Sequence, residues 1–206
     1  MSHSRILEMP VRCFAAIPIP SLWRTKTVEL LEKLSRLDSR RNLYWSKVDK
    51  LHITLCFLGT VEASRIPSLS GELREVCRCH RAFRISAKGV GVFPEIGCPK
   101  VLWVSIWNQC DTLDDLARSV NRVCLTYAES QDPRPFRAHM TIGRVRGQIA
   151  ADGVKAFEEE GGFFALADDL VESISLVRSE LSPEGSRYTL LERFPLKTKG
   201  KASPIR

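Results

Sequence analysis

An α+β fold with a largely antiparallel sheet is what this sequence predicts, and three observations predict it. Strand-like and helix-like segments are interspersed without the regular β-α-β alternation that builds a parallel sheet. Two strand-like runs meet across Ser182-Pro183-Glu184-Gly185, a tetrad whose residues favour a tight turn and which reads as a hairpin. No linker divides the 206 residues, so 1–196 reads as one domain and 197–206 as a basic tail.

The elements follow in order from spacing. Arg12–Ile17 is a strand-like run, and Leu22, Leu30, Leu31, Leu34 and Leu37 then share one face of a helix from Ser21 to Leu37. Leu51–Leu58 alternates as a strand does. Ile66, Leu69, Leu73 and Val76 give a second helix from Glu62 to Cys77, in which Pro67 is tolerable only near the first turn. Phe83–Phe93 and Val101–Trp107 are strands on either side of a turn between Pro94 and Pro99. Leu113, Leu116, Val120, Val123, Cys124 and Tyr127 recur at threes and fours, which predicts a third helix from Asp111 to Ala128. Beyond a turn at Asp132-Pro133, Ala138–Val145, Val171–Leu181 and Arg187–Phe194 complete the strands.

Composition narrows the class. A chain that is 44% hydrophobic and 27% charged is ordinary globular protein, neither disordered nor collagen-like. The net charge is +7, but Lys197, Lys199, Lys201 and Arg206 stand in the tail without an acid, so the body is only mildly basic. No window approaches the roughly 18 apolar residues that cross a bilayer. The start MSHSRILEMPVRCFAAIPIP carries Glu8 and prolines where a signal peptide has an unbroken apolar run, so a cytoplasmic protein with no membrane partner is expected. Seven scattered cysteines, an odd number, predict reduced thiols and no disulfide framework.

The informative feature is a repeated pentapeptide. Leu51-His52-Ile53-Thr54-Leu55 and Ala138-His139-Met140-Thr141-Ile142 both read apolar, His, apolar, Thr, apolar. Strand side chains alternate faces, so His52 and Thr54 point one way while Leu51, Ile53, Leu55 and Phe57 point toward a packed layer. His139 and Thr141 likewise oppose Ala138, Met140 and Ile142. One His-x-Thr is usually just a polar pair on a half-buried strand. Two copies, holding two of only four histidines, read as a site. Imidazole, with an ordinary pKa of about 6.5, passes protons near neutrality. If both faces turn to a common cleft, one ring takes a proton from an attacking oxygen while the other gives one to an oxygen leaving. The threonine hydroxyls then suit the non-bridging oxygens of a phosphate between them, and the scheme calls for no metal and no cofactor.

These residues resemble the paired signatures of the two-histidine phosphoesterase superfamily, and their flanks resemble its RNA 2′,3′-cyclic phosphodiesterase branch, also called 2′-5′ RNA ligase. Arg12-Cys13-Phe14-Ala15-Ala16-Ile17-Pro18 resembles the opening strand, Asp49 to Gly59 the first motif and Arg134 to Arg144 the second. Phe93-Pro94, Val101-Leu102-Trp103-Val104 and Arg178 to Tyr188 follow in the family's order, so the likeness spans nearly the whole chain. The resemblance implies two pseudo-symmetric lobes whose antiparallel sheets face a central cleft, with helices packed outside. It implies in-line attack of water on a terminal 2′,3′-cyclic phosphate of RNA to leave a 2′-phosphate, by a monomer. Some members also join RNA ends reversibly through 2′-5′ bonds, tRNA-like fragments among them. By position, His52 would be the general acid for the departing 3′ oxygen and His139 the general base for water. Thr54, Thr141 and Arg144 would hold the phosphate.

Strict alternation puts Arg144 on the wrong face, so either the strand bulges at Gly143 or Arg144 reaches round the sheet end. Phe14 and Phe136 are candidates to stack a nucleobase, although core packing is the commoner role of such rings. Arg134 and Arg137 add attraction for an RNA backbone, or are exposed loop charges. Cys77-x-Cys79-His80 lacks the second ligand pair of a structural zinc site. Gly89-Val90-Gly91 lacks the third glycine of a dinucleotide fingerprint, and neither a phosphate loop nor a Gly-x-Ser-x-Gly elbow is present. Other readings compatible with the cleft are a non-catalytic RNA-binding module, or a phosphodiesterase for 2′-5′ oligonucleotides or small cyclic nucleotides.

Overall fold

A computed structural model describes residues 9–129, 134–182 and 185–198. Positions 183–184 of the hairpin turn, the Asp132-Pro133 turn and most of the basic tail lie outside the described residues. Lys197 is still tied to the body, its amide donating to the carbonyl of His80 and its carbonyl accepting from Ala82.

Nine strands form one antiparallel sheet: β1 (Val11–Pro18), β2 (Leu43–Trp45), β3 (His52–Val61), β4 (Phe83–Phe93), β5 (Val101–Trp107), β6 (His139–Val145), β7 (Ala165–Val171), β8 (Ser173–Ser182) and β9 (Gly185–Pro195). Their spatial order is β7-β4-β5-β6-β3-β1-β8-β9, with β2 also paired to β6. The helices are α1 (Trp23–Leu37), α2 (Ile66–Cys79), α3 (Thr112–Cys124) and α4 (Ala151–Gly162). The sheet divides naturally into β7-β4-β5-β6 and β3-β1-β8-β9. α1 and α4 serve the first half, which β2 joins as a fifth strand, and α2 and α3 serve the second. The lobes meet where β3 and β6 pair through Ile53 and Met140, both fully buried.

The helices form for the reasons their stripes indicate, with corrections at the ends. On α1 the buried face is Trp23, Thr27, Leu30, Leu31 and Leu34, while Leu22 and Leu37, which the leucine spacing assigns to it, are exposed. The Trp23 indole N–H donates to the carbonyl of Ala167 on β7, so an aromatic outside the leucine pattern anchors the helix start. α2 begins at Ile66 after a short 3-10 turn, because Pro67 has no N–H to offer the helix interior and fits its first turn. Three elements escape the sequence reading. β2 is only three residues long. α4, with Gly153, Gly161 and Gly162, buries just Val154, Phe157 and Gly161. β7 is an edge strand with Asp168 and Asp169 at its rim, and what reads as one strand from Val171 is two that break at Glu172. Gly161 explains its own presence: a Cβ there would come within 2.3 Å of Val90, so only glycine lets α4 lie so close to β4.

Candidate active site

The register through Ile53 and Met140 fixes the site. Extended by one residue each way, it sets His52 opposite Thr141 and Thr54 opposite His139. Equivalent residues of the two pentapeptides therefore surround a pseudo-twofold axis. All four polar side chains share the sheet face away from the helices, and all four are half-buried. The two histidines are diagonal neighbours in this register, a relation that places such residues about 7–8 Å apart and their Cβ atoms somewhat closer. That spacing suits two rings reaching one atom from either side.

Each ring is fixed in the same way. His52 Nδ1 lies 2.7 Å from the carbonyl oxygen of Lys50, and His139 Nδ1 lies 2.7 Å from that of Arg137. A carbonyl only accepts, so Nδ1 carries a hydrogen in both rings whether they are neutral or charged. Nε2 is the ring nitrogen left able to gain or lose a proton. The short 3-10 turn Val48–Lys50 delivers the first carbonyl, and Lys50 Nζ itself donates to the carbonyl of Ser186 on β9.

Aromatic rings hold the imidazoles laterally. Phe14 stacks on His52 at 4.7 Å between centroids, and Tyr188 meets the same ring edge-on at 5.4 Å. Phe93 meets His139 edge-on at 5.1 Å and stacks on Trp103. Gly91 makes room for Trp103, since a Cβ there would sit 2.7 Å from the indole. Both imidazoles have pKa values lowered from 6.5, chiefly by burial, which disfavours the charged ring. The carbonyl contacts oppose that effect, and the Arg144 guanidinium adds to it at both rings.

That influence locates Arg144 and resolves its alternation problem. β5 pairs Leu102 with Gly143 but Trp103 with Thr141, so Ile142 is an extra, bulged residue. The bulge resets the alternation and returns Arg144 to the face of His139 and Thr141. Gly143 is not what permits it: its φ lies outside the left-handed region and a Cβ would meet only ordinary contacts.

The first motif has the same device. β1 pairs Ala15 with Cys56 but Ala16 with Thr54, which makes Leu55 the extra residue. Phe57, expected in the packed layer, is thereby turned to the cleft face, 52% exposed and beside Phe14. Phe57 and Arg144 are thus pseudo-symmetric partners. Phe14 sits at the site, but only 2% of it is exposed, so it backs His52 and offers no free face to a base. Phe136 is half-buried and lines an open cleft with His139. Arg134 and Arg137 are exposed at the His139 side. Tyr188, Phe93 and the two carbonyls carry no assignment from the sequence; the one available signal is that Lys50 and Arg137 each stand two residues before a motif histidine.

The other sequence signals bring no second centre together. Cys13, Cys56, Cys77 and Cys124 are buried and Cys79, Cys98 and Cys110 exposed, all as free thiols. Burial pushes Cys13 and Cys77 up to about 12, so they stay protonated. Among the described residues no three His, Cys, Asp or Glu side chains are grouped as a metal would need, and no helix is long and apolar enough to cross a membrane.

A two-lobed antiparallel sheet in which duplicated His-x-Thr strands cross at a pseudo-dyad is the architecture of the two-histidine phosphoesterases. Comparison with known proteins narrows that class. A sequence model of the 2′-5′ RNA ligase superfamily matches residues 20–183, and the chain belongs to that superfamily. It is 30% identical over 188 residues to the RNA 2′,3′-cyclic phosphodiesterase of Methanothermobacter thermautotrophicus, covering 91% of this chain and 100% of the relative. The protein of the same name from Archaeoglobus fulgidus is 31% identical over 186 residues, covering 89% and 99%. Among solved structures, the TT0787 protein of Thermus thermophilus superposes with a TM-score of 0.73 at 25% identity, covering 91% of this chain and 99% of that one. E. coli LigT complexed with 3′-AMP shares the fold with a TM-score of 0.71 at 22% identity and the same coverage.

Proposed function

We propose that this protein hydrolyses the 2′,3′-cyclic phosphate at the end of an RNA chain to a 2′-phosphate, using its two histidines as general base and general acid. The observation that carries this reading is the matched pair of imidazoles, each held by an Nδ1 contact to a carbonyl two residues before it and each facing the same pseudo-dyad. Relatives named RNA 2′,3′-cyclic phosphodiesterase support the substrate.

The phosphorus sits on the pseudo-dyad. His139, beside the open cleft, takes the proton of the incoming water at Nε2. His52, walled by Phe14 and Tyr188, gives its Nε2 proton to the departing 3′ oxygen on the opposite side. Thr54 and Thr141 donate hydroxyls to the non-bridging oxygens, and Arg144 balances the charge that grows on them. No step calls on a metal or cofactor. An RNA oligonucleotide ending in a 2′,3′-cyclic phosphate, incubated with EDTA, is therefore expected to yield a 2′-phosphate end, read by phosphorus NMR. A 3′-phosphate product, or turnover that EDTA abolishes and a divalent cation restores, overturns the scheme.

The pH dependence has a definite sign. A base must be neutral and an acid protonated, so kcat/KM is bell-shaped and its limbs report the imidazole pair in the free enzyme. Both rings lie below 6.5, so the maximum falls on the acid side of that value and activity declines through neutrality. At saturating substrate the bound phosphodiester anion favours the charged rings, which moves the kcat profile to higher pH. Rates measured from about pH 4.5 to 9, a range that brackets the imidazole titrations, check both statements; a flat profile contradicts them.

A further inference from the structure

Positive charge on the cleft face does not end at Arg144. Arg146 follows two residues on, just past the end of β6, where its amide donates to the carbonyl of Asn42 at 2.7 Å. Residues two apart on a strand share a face, so Arg146 stands on the cleft side with Arg144. Tyr44 on β2 pairs directly with Arg144 and shares that face. The Arg146 guanidinium lies over the Tyr44 ring, 4.6 Å from its centroid. Tyr44 is fixed in turn from the other lobe. Its hydroxyl rests against Gly185, where a φ of 112° and the lack of a Cβ are what only glycine supplies. Beside it, Lys50 Nζ donates to the carbonyl of Ser186. An exposed arginine ordinarily samples many rotamers, whereas stacking on a ring held in this way orders Arg146 and leaves its in-plane N–H donors uncovered. Among the described residues neither Arg144 nor Arg146 stands in an ion pair.

We propose that Arg146, on its Tyr44 platform, binds the phosphodiester on the 5′ side of the terminal nucleoside and so selects an RNA chain over a cyclic mononucleotide. The inference rests on the function proposed above, in which Arg144 takes the reacting phosphate. Position and spacing both favour that ligand. Thr141 stands opposite His52, and Arg144 and Arg146 continue along β6 beyond that pair, away from His139. The 3′ oxygen that departs toward His52 stays on its ribose, so the terminal nucleoside and the chain attached to it lie at this same end of the dyad. Two strand residues advance roughly 7 Å, the scale of the step from one phosphate of a nucleic-acid strand to the next. A guanidinium suits such a target, since its parallel N–H groups match two phosphate oxygens. No bond is made or broken at this subsite; it holds the chain while the neighbouring phosphate reacts.

The test compares 2′,3′-cyclic AMP with the 3′-5′-linked dinucleotide ApA ending in a 2′,3′-cyclic phosphate, in the wild type, Arg146→Ala and Arg146→Lys. The wild type is expected to favour the dinucleotide in kcat/KM. The ratio of kcat/KM on the dinucleotide to that on the mononucleotide should fall about 3- to 30-fold in Arg146→Ala, through KM, as for a charge-assisted contact at a solvent-screened site. Arg146→Lys should recover part of it. Replacing the linking phosphodiester by an uncharged methylphosphonate should lower the wild-type ratio by the same factor and the Arg146→Ala ratio little. Salt should weaken the wild-type preference with a double-logarithmic slope of about −0.7, as for one single-strand phosphate contact, and weaken that of Arg146→Ala less. Thermal melting verifies that both variants fold, as expected for so exposed a side chain. A wild type without preference for the dinucleotide, a ratio unmoved in Arg146→Ala, or a methylphosphonate that affects wild type and Arg146→Ala equally overturns the subsite alone. A wild type inactive on every cyclic phosphate overturns the proposed function itself, a separate result.

Discussion

Replacing His52 or His139 by alanine is expected to lower kcat on a cyclic-phosphate RNA by about 10²- to 10⁴-fold, the usual worth of a positioned proton donor or acceptor. The double variant should be little slower than the slower single one, because two groups that act in one step lose their joint effect when either is removed. Both rings are held by a carbonyl and by neighbouring aromatics, so the side chains are already oriented and the loss falls on kcat more than on KM. The surviving activity separates the roles. His139→Ala should lose the acid limb of the pH profile, since that limb reports protonation of the base. His52→Ala should lose the alkaline limb, which reports deprotonation of the acid. Limbs lost the other way round would exchange the roles. Near-normal kcat in either variant would end the two-imidazole scheme altogether.

How far the sequence foretells this site depends on whether alternation survives along each strand. Up to Thr54 and Thr141 it does, so the polar set and its shared face are legible from spacing alone. Beyond them it fails at the same place in both lobes, because Leu55 and Ile142 are extra residues opposite shorter partners. A bulge is a property of two strands together, and neither strand's own sequence declares it. This is why alternation puts Phe57 in the core and Arg144 on the wrong face. The helices show the same limit. α3 carries a strong apolar stripe and is legible to within a few residues, whereas α4 succeeds through Gly161 against Val90, a close approach that no periodicity encodes. Pairing of the two lobes through Ile53 and Met140 is likewise a long-range fact, foreshadowed only by the repetition of the pentapeptide.

The matched bulges also set apart a position at which the lobes are chemically unlike, Phe57 in the first and Arg144 in the second. Arg144→Ala is expected to lower kcat by about 10²- to 10³-fold, the scale found when a donor aimed at developing negative charge is lost. Arg144→Lys should recover only part of this, since an ammonium restores the charge but not the planar fork that can grip two phosphate oxygens. The two variants should also differ in pH dependence. The guanidinium lowers both imidazoles, so its removal raises both and carries the whole kcat/KM bell toward alkaline pH, while lysine at that position holds the bell near its original place. An arginine that merely capped the end of β6 in solvent would move neither limb. A displaced bell accompanied by reduced kcat is therefore the joint signature of a cation bound to the phosphate and coupled to both proton carriers. Loss of rate without displacement would leave phosphate binding intact as its role and remove the electrostatic link to the histidines.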